Sequence, residues 1–284
     1  MNTHTTCHHA PHAPIGMFDS GVGGLSVYLH LKSLLPHEEI LYYADTKNVP
    51  YGEKSSEEII ALTDAAVAWL IKKGAKLVVI ACNSASAYAL DVLRAKYTLP
   101  IVGLVPAIKP ACLASQNKKI AVLATRATLN GALFSEVVNH VATPLGVTVY
   151  RHFEPKLVPW VEMGMPIDHQ VADLLITQMH TWAKDGVDAL VLGCTHYPFF
   201  RAFLEAEITE KAINMTLIDS GAAIASRVQS LLKDRTAPPT DQPNPLRFFA
   251  TGDDATVSHT LSIAERLIGE KVLPMTATHN EIFS

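Results

Sequence analysis

Short apolar runs alternate with stretches of helical period along most of the chain. Residues 15–18, 39–44, 77–81 and 100–104 are runs of this kind. Strands covered on both faces read as continuous apolar segments, so these predict buried parallel strands. The clearest helix lies over residues 55–73. Ile59, Leu62, Ala66 and Trp69 share one face, Ser55 and Glu58 form a capping box, and Gly74 stops it. Further helices are read over 85–96 and 106–114. The pattern then restarts, with a strand at 119–124, a helix at 131–141 and a strand at 147–152. A short turn or helix at 158–163, a helix at 168–184 and a strand at 189–192 follow.

Alternating strands and helices call for parallel sheets. Two cycles of the pattern predict an α/β fold of two similar domains with parallel-sheet cores and an active site in the cleft between them. The expected division is 15–105 with 217–284, and 106–216. The chain is read as returning to the first domain near residues 216–219, where Asp219-Ser220-Gly221 echoes Asp19-Ser20-Gly21. Residues 237–245 hold four prolines among polar residues and read as a surface linker. A strand at 247–250, a helix at 254–268 and a short strand at 272–275 complete the pattern. Residues 1–14 are polar and carry His4, Cys7, His8, His9 and His12. A metal-binding arm is one reading. A disordered tail is favoured, since no periodic pattern would hold ligands in place.

Composition narrows the class. A chain of 284 residues can build two cores, and 49% hydrophobic with 18% charged residues is ordinary for a globular protein. A formal net charge of −4 carries no nucleic-acid footprint. No apolar run approaches the ~20 residues of a membrane span, and the start lacks an apolar signal core, so a cytoplasmic protein is expected. Four cysteines without dense spacing argue against a disulfide scaffold and leave free thiols.

The chemistry gathers where apolar runs end, the place where open α/β sheets bind ligands. The run 77–81 is followed by Cys82-Asn83-Ser84, and the run 189–192 by Gly193-Cys194-Thr195-His196-Tyr197-Pro198. The first run ends in Asp19-Ser20-Gly21-Val22-Gly23-Gly24, a Gly-rich turn suited to an anion. Ser26 stands where a dinucleotide fingerprint needs its third glycine, so a carboxylate is expected there and not NAD. A tight turn alone would also explain the glycines. Residues 45–52 form a candidate binding loop with Pro50, Tyr51 and Gly52.

Cys194-Thr195-His196 matches no common zinc spacing, no CxxC pair is present, and a Cys-His hydrolase leaves the second thiol unexplained. Two thiols on opposite sides of a substrate suit inversion of a carbon centre. One removes a proton and the other returns a proton to the opposite face, with no cofactor and no metal.

The segments 18–25, 45–52, 81–86, 105–110 and 193–198 together resemble the glutamate racemases, in order along the chain. The resemblance implies racemisation of L-glutamate to D-glutamate for peptidoglycan synthesis. It implies catalytic roles for Cys82 and Cys194, the first acting on D-glutamate and the second on L-glutamate. Asp19 would assist the first thiol, and His196 and Glu162 the second. Asp19, Ser20, Pro50, Tyr51, Gly52, Asn83, Ser84, Thr195 and His196 would bind the substrate. Ser84 replaces a usual Thr, and Lys47-Asn48 replaces a common Ala-Arg pair. No cofactor, nucleic acid or membrane partner is implied, and a homodimer is compatible with the family. An aspartate racemase and a carboxylate-binding protein with inert thiols remain as alternatives.

Overall fold

The computed structural model describes residues 11–240 and 243–275. Its first half runs β1 (Ile15–Asp19), α1 (Leu25–Leu34), β2 (Ile40–Ala44), α2 (Ser56–Lys72), β3 (Leu77–Ile80), α3 (Asn83–Lys96) and β4 (Ile101–Gly103). The second unit runs α4 (Ile108–Ala114), β5 (Lys119–Leu123), α5 (Arg126–Asn130), α6 (Ala132–Val137), β6 (Thr148–His152), α7 (Leu157–Glu162), α8 (His169–Lys184), β7 (Ala189–Leu192), α9 (Arg201–Glu210) and β8 (Thr216–Ile218). The chain ends with α10 (Gly221–Leu232), β9 (Arg247–Ala250), α11 (Asp254–Ile268) and β10 (Leu273–Pro274).

Both sheets are wholly parallel. The first has the order β10-β9-β2-β1-β3-β4 and the second β6-β5-β7-β8. The orders β2-β1-β3-β4 and β6-β5-β7-β8 are the same plan, so the expected α/β fold with two parallel cores is present. In each sheet the strand order reverses beside the first strand of the unit, at β1/β3 and at β5/β7. Such switch points open a crevice at the strand carboxyl ends.

Local signals shape the elements as the sequence suggests. Ser55 and Glu58 make the reciprocal bonds of a capping box at α2. Asp168 caps α8 by accepting from the Gln170 and Val171 amides. Cys112 is buried on α4, as a packing residue should be.

Several expectations need correction. The strand at 216–218 pairs with β7, so Leu217 and Ile218 belong to the second sheet, and α10 makes the return by packing on α1. Asp219 does repeat the turn of Asp19, since each Oδ1 accepts the amide two residues on at 2.9 Å. The repeat is local only, because β8 corresponds in order to β4 and not to β1. The helix expected over 131–141 is α6 followed by a π turn at Val138–Ala142. Pro198 suits the first turn of a helix, and a helical turn at Tyr197–Phe200 does lead into α9, whereas α5 and α10 match no helix read from the sequence.

Most of the segment 1–14 lies outside the described residues, but Pro11 and Pro14 are tied down. Their carbonyls accept from Lys76, Pro11 from Nζ at 2.6 Å and Pro14 from the backbone amide at 2.9 Å. A disordered tail reaching to Pro14 is therefore too long. The Lys76 ammonium also donates to Arg235 O and pairs with Glu38 at 2.6 Å, and both side chains of the pair are buried. Three separate stretches thus share one cation. Removing one member of a buried pair strands the other, at a cost of about 3–5 kcal/mol. Lys76→Met is expected to lower the unfolding free energy from urea titration by that amount, with a matching fall in the midpoint, and adding Glu38→Gln to recover part of it. A Lys76→Met unfolding free energy equal to wild type would count against the clamp.

Candidate functional site

Cys82 and Cys194 follow equivalent strands, β3 and β7, and both line one small cavity. Ser20, Pro50, Tyr51, Gly52, Asn83, Ser84, Thr195 and His196 share that lining. Asp19 and Glu162 stand behind it, bonded to lining residues. The structure therefore brings together the residues to which the resemblance gives catalytic or substrate-binding roles.

Cys82 is the N-cap of α3, and its sulfur accepts from the Ala85 amide at 3.5 Å. Its thiol donates to Ser20 Oγ at 3.8 Å, and Ser20 Oγ donates to Asp19 Oδ1 at 3.1 Å. Burial, with the Asp19 charge beside it, pushes the Cys82 thiol well above its usual range, and the helix-end amide only partly opposes this. Asp19 is itself fully buried, which raises its carboxyl to about 6; His196 and the bonds from Gly21 and Thr195 hold it from rising further.

The second thiol has a different support. Cys194 Sγ lies 3.6 Å from His196 Nδ1, and His196 Nε2 lies 2.6 Å from Glu162 Oε1. Burial alone would drive the imidazole neutral, but its bonds to Cys194 and Glu162, and their charges, outweigh burial and raise it well above its ordinary value. One thiol is backed by hydroxyl and carboxylate, the other by imidazole and carboxylate.

The halves are cross-linked at the same place. Thr195 Oγ1 donates to Asp19 Oδ2 at 2.9 Å, Ser26 Oγ donates to Thr195 O at 2.8 Å, and the Val22 amide donates to Glu162 Oε1 at 2.9 Å. The Gly-rich turn thus receives a carboxylate of the protein's own, that of Glu162, at the Val22 amide. Its glycines serve close approach. A side chain at Gly21 would overlap the Glu162 carboxylate, and one at Gly23 would overlap His196 and Thr195.

Asp45 holds the 45–52 loop. It accepts from Tyr51 Oη at 2.6 Å, Thr251 Oγ1 at 2.7 Å and Asn48 Nδ2 at 3.0 Å. The Tyr51 hydroxyl is thereby committed, and Asn48, at a position where the resemblance leads one to expect Arg, supplies a neutral partner. Ser84 Oγ bonds Thr125 Oγ1 at 2.9 Å, so the hydroxyl is engaged although the methyl of a Thr is absent. Thr125 also lines the cavity and was missed. It follows the apolar run of β5, and the rule that drew attention to Cys82 and Cys194 would have found it.

No cluster of metal-binding side chains occurs among the described residues. None of their helices is long and apolar enough to cross a membrane. The cavity presents no Lys or Arg, so an anion there would be held by hydroxyls, amides and an imidazolium.

Known proteins share this architecture. The glutamate racemase of Deinococcus radiodurans is 47% identical over 77% of this chain and 74% of its own length. The crystal structure of a Bacillus anthracis glutamate racemase superposes with a TM-score of 0.80 at 30% identity, covering 95% of this chain and 98% of that one. The Escherichia coli glutamate racemase, solved in complex with L-glutamate and the activator UDP-MurNAc-Ala, gives 0.77 at 33% identity over 93% and 98%. Residues 23–228 match the family described as Asp/Glu/Hydantoin racemase. With that span and these relatives, the chain belongs to the Asp/Glu/Hydantoin racemase family and is an isomerase.

Proposed function

We propose that this protein interconverts L- and D-glutamate without a cofactor, using Cys82 and Cys194 as two bases in the cleft between its sheets. The observation that carries the reading is that two thiols, at the ends of equivalent strands, border one cavity, each with its own carboxylate-terminated relay. The E. coli relative, similar over nearly its full length, was solved with L-glutamate.

The chemistry follows from the groups present. An α-proton leaves only if the base is anionic and the developing negative charge is stabilised. With D-glutamate bound, Cys82 takes the α-proton and Cys194 returns one to the other face; with L-glutamate the roles exchange. The substrate ammonium brings positive charge beside Cys82 and lowers the cost of its thiolate. Ser20 and Asp19 then offer the proton of Cys82 a path. On the other side His196, held charged, presents a donor to the Cys194 sulfur where charge develops.

The closed cavity measures about 10 Å³, room for roughly one water molecule. Glutamate enters only if the two sheets separate, which breaks the Thr195–Asp19 and Val22–Glu162 bonds, and closure over it excludes water. We place the enzyme in the cytoplasm, supplying D-glutamate for peptidoglycan.

Circular dichroism of L-glutamate with chelator-treated, dialysed protein should show decay of the signal to zero. Aspartate should react far more slowly, because a shorter chain leaves the partners of the distal carboxylate unpaired. Zinc-dependent recovery, or equal kcat/KM for both amino acids, would refute this reading.

Either Cys82→Ala or Cys194→Ala should abolish racemisation in both directions, while Cys112→Ala stays near wild type. Elimination from a β-substituted glutamate needs only one deprotonation. Cys82→Ala should keep it for the L form and Cys194→Ala for the D form. Racemisation persisting in either single variant would remove the two-base mechanism.

The Asp19 carboxyl sets a pH dependence. It assists as the anion, so kcat/KM for D-glutamate should fall as pH drops through about 6. Asp19→Asn should lose that limb and about 10²-fold in rate. Stability runs the other way. The unfolded Asp19 ionises near its ordinary value of 3.8 and the folded one at about 6, so wild-type stability declines across that window as pH rises. Relative to wild type, Asp19→Asn should therefore gain in Tm between pH 4 and pH 7, and an unchanged difference would contradict the assignment.

A further inference from the structure

A second and much larger cavity, about 450 Å³, lies between α8 and the second sheet. It opens at the carboxyl ends of β5 and β6, beside the end of β7 that carries Cys194, and its volume is in the range of small-molecule sites. Leu123 and Leu190 of the sheet and Leu175, Met179 and Trp182 of α8 give it an apolar floor.

The rim is charged with both signs. Glu154 and Lys156 come from the segment between β6 and α7, and Asp173 from α8. Lys156 and Asp173 are exposed, and among the described residues their side chains have no hydrogen-bond or ion-pair partner. The Glu154 carboxylate accepts only the Lys156 amide at 3.1 Å. Between rim and floor stands His152, half-buried and edge-on to Trp182 at 5.4 Å. Its ring makes no hydrogen bond among the described residues, and burial lowers its pKa, so it faces the cavity as a neutral group able to give or take one bond.

We propose that this cavity is a second binding site, for a zwitterionic α-amino acid with a large apolar side chain. The ammonium meets Glu154 and Asp173, the carboxylate meets Lys156, and the side chain lies on the apolar floor against Trp182. A purely apolar ligand would leave the rim charges unused. A simple anion or cation would meet charge of its own sign there. Glutamate would set a second carboxylate against Leu, Met and Trp side chains, which costs free energy that no partner on the floor returns. The site is separate from the two thiols and does not depend on the reaction assigned to them.

Isothermal titration of the full-length protein with L-phenylalanine tests the assignment. One site with a Kd below about 1 mM is expected. Phenethylamine and 3-phenylpropionate each lack one charge and should bind about tenfold more weakly or worse, the loss of one charge-assisted bond. Lys156→Glu should weaken phenylalanine by a similar factor without changing Tm, because Lys156 is exposed. Binding should persist in saturating glutamate, which separates this site from the catalytic cavity. Absence of saturable binding at millimolar phenylalanine would overturn the proposal. So would displacement by glutamate, or indifference to Lys156→Glu in a protein of unchanged Tm.

Discussion

The Glu162 carboxylate accepts from the Val22 amide and from His196, and so joins the Gly-rich turn of the first sheet to the thiol end of the second. The rest of the site is arranged around that junction. It keeps His196 charged against the pull of burial, and it orients the imidazole so that the other nitrogen meets Cys194. It also explains two glycines, since any side chain at Gly21 or Gly23 would occupy the space of the groups being joined. A residue on a six-residue helix of one unit thus dictates the sequence of a turn in the other.

Burial acts in opposite senses on the two sides. Around Cys82 and Asp19 it disfavours negative charge and keeps protons on, with one helix-end amide in partial opposition. Around His196 it disfavours positive charge but is outweighed by the bonds to Cys194 and Glu162. The two supports therefore differ in charge preference, the Asp19 side drawn toward its neutral form and the His196 side held in its charged form.

The strands were legible because parallel strands covered on both faces leave long apolar runs, and the switch points were legible because polar groups follow those runs at once. Cys82, Cys194, Ser20 and Thr195 all sit at such ends. The resemblance added Glu162, which no periodicity marks. What stayed hidden has physical causes. Helix α9 buries only Leu204, so it shows no apolar stripe. Helix α10 does carry one, in Ile224, Ala225, Val228 and Leu232, and was open to the same reading as α2. Strand β8 is three residues long, too short for its sheet to be inferred from pattern. The Gly-rich turn reads as a site for a free anion when its neighbour from 140 residues further along is invisible.

The repeated strand order, β2-β1-β3-β4 and β6-β5-β7-β8, has a stereochemical consequence. Two copies of one topology whose strand ends border one cavity bring equivalent groups to it. The cysteines after β3 and β7 are such equivalents. The remaining pairs are not alike: Asp19 and Ser20 after β1 answer to Thr125 after β5, and Ser84 answers to His196. A chiral guest carries no such repeat of its own. The likeness of the halves suits them to its mirror-image faces, and their unlikeness suits them to its different substituents.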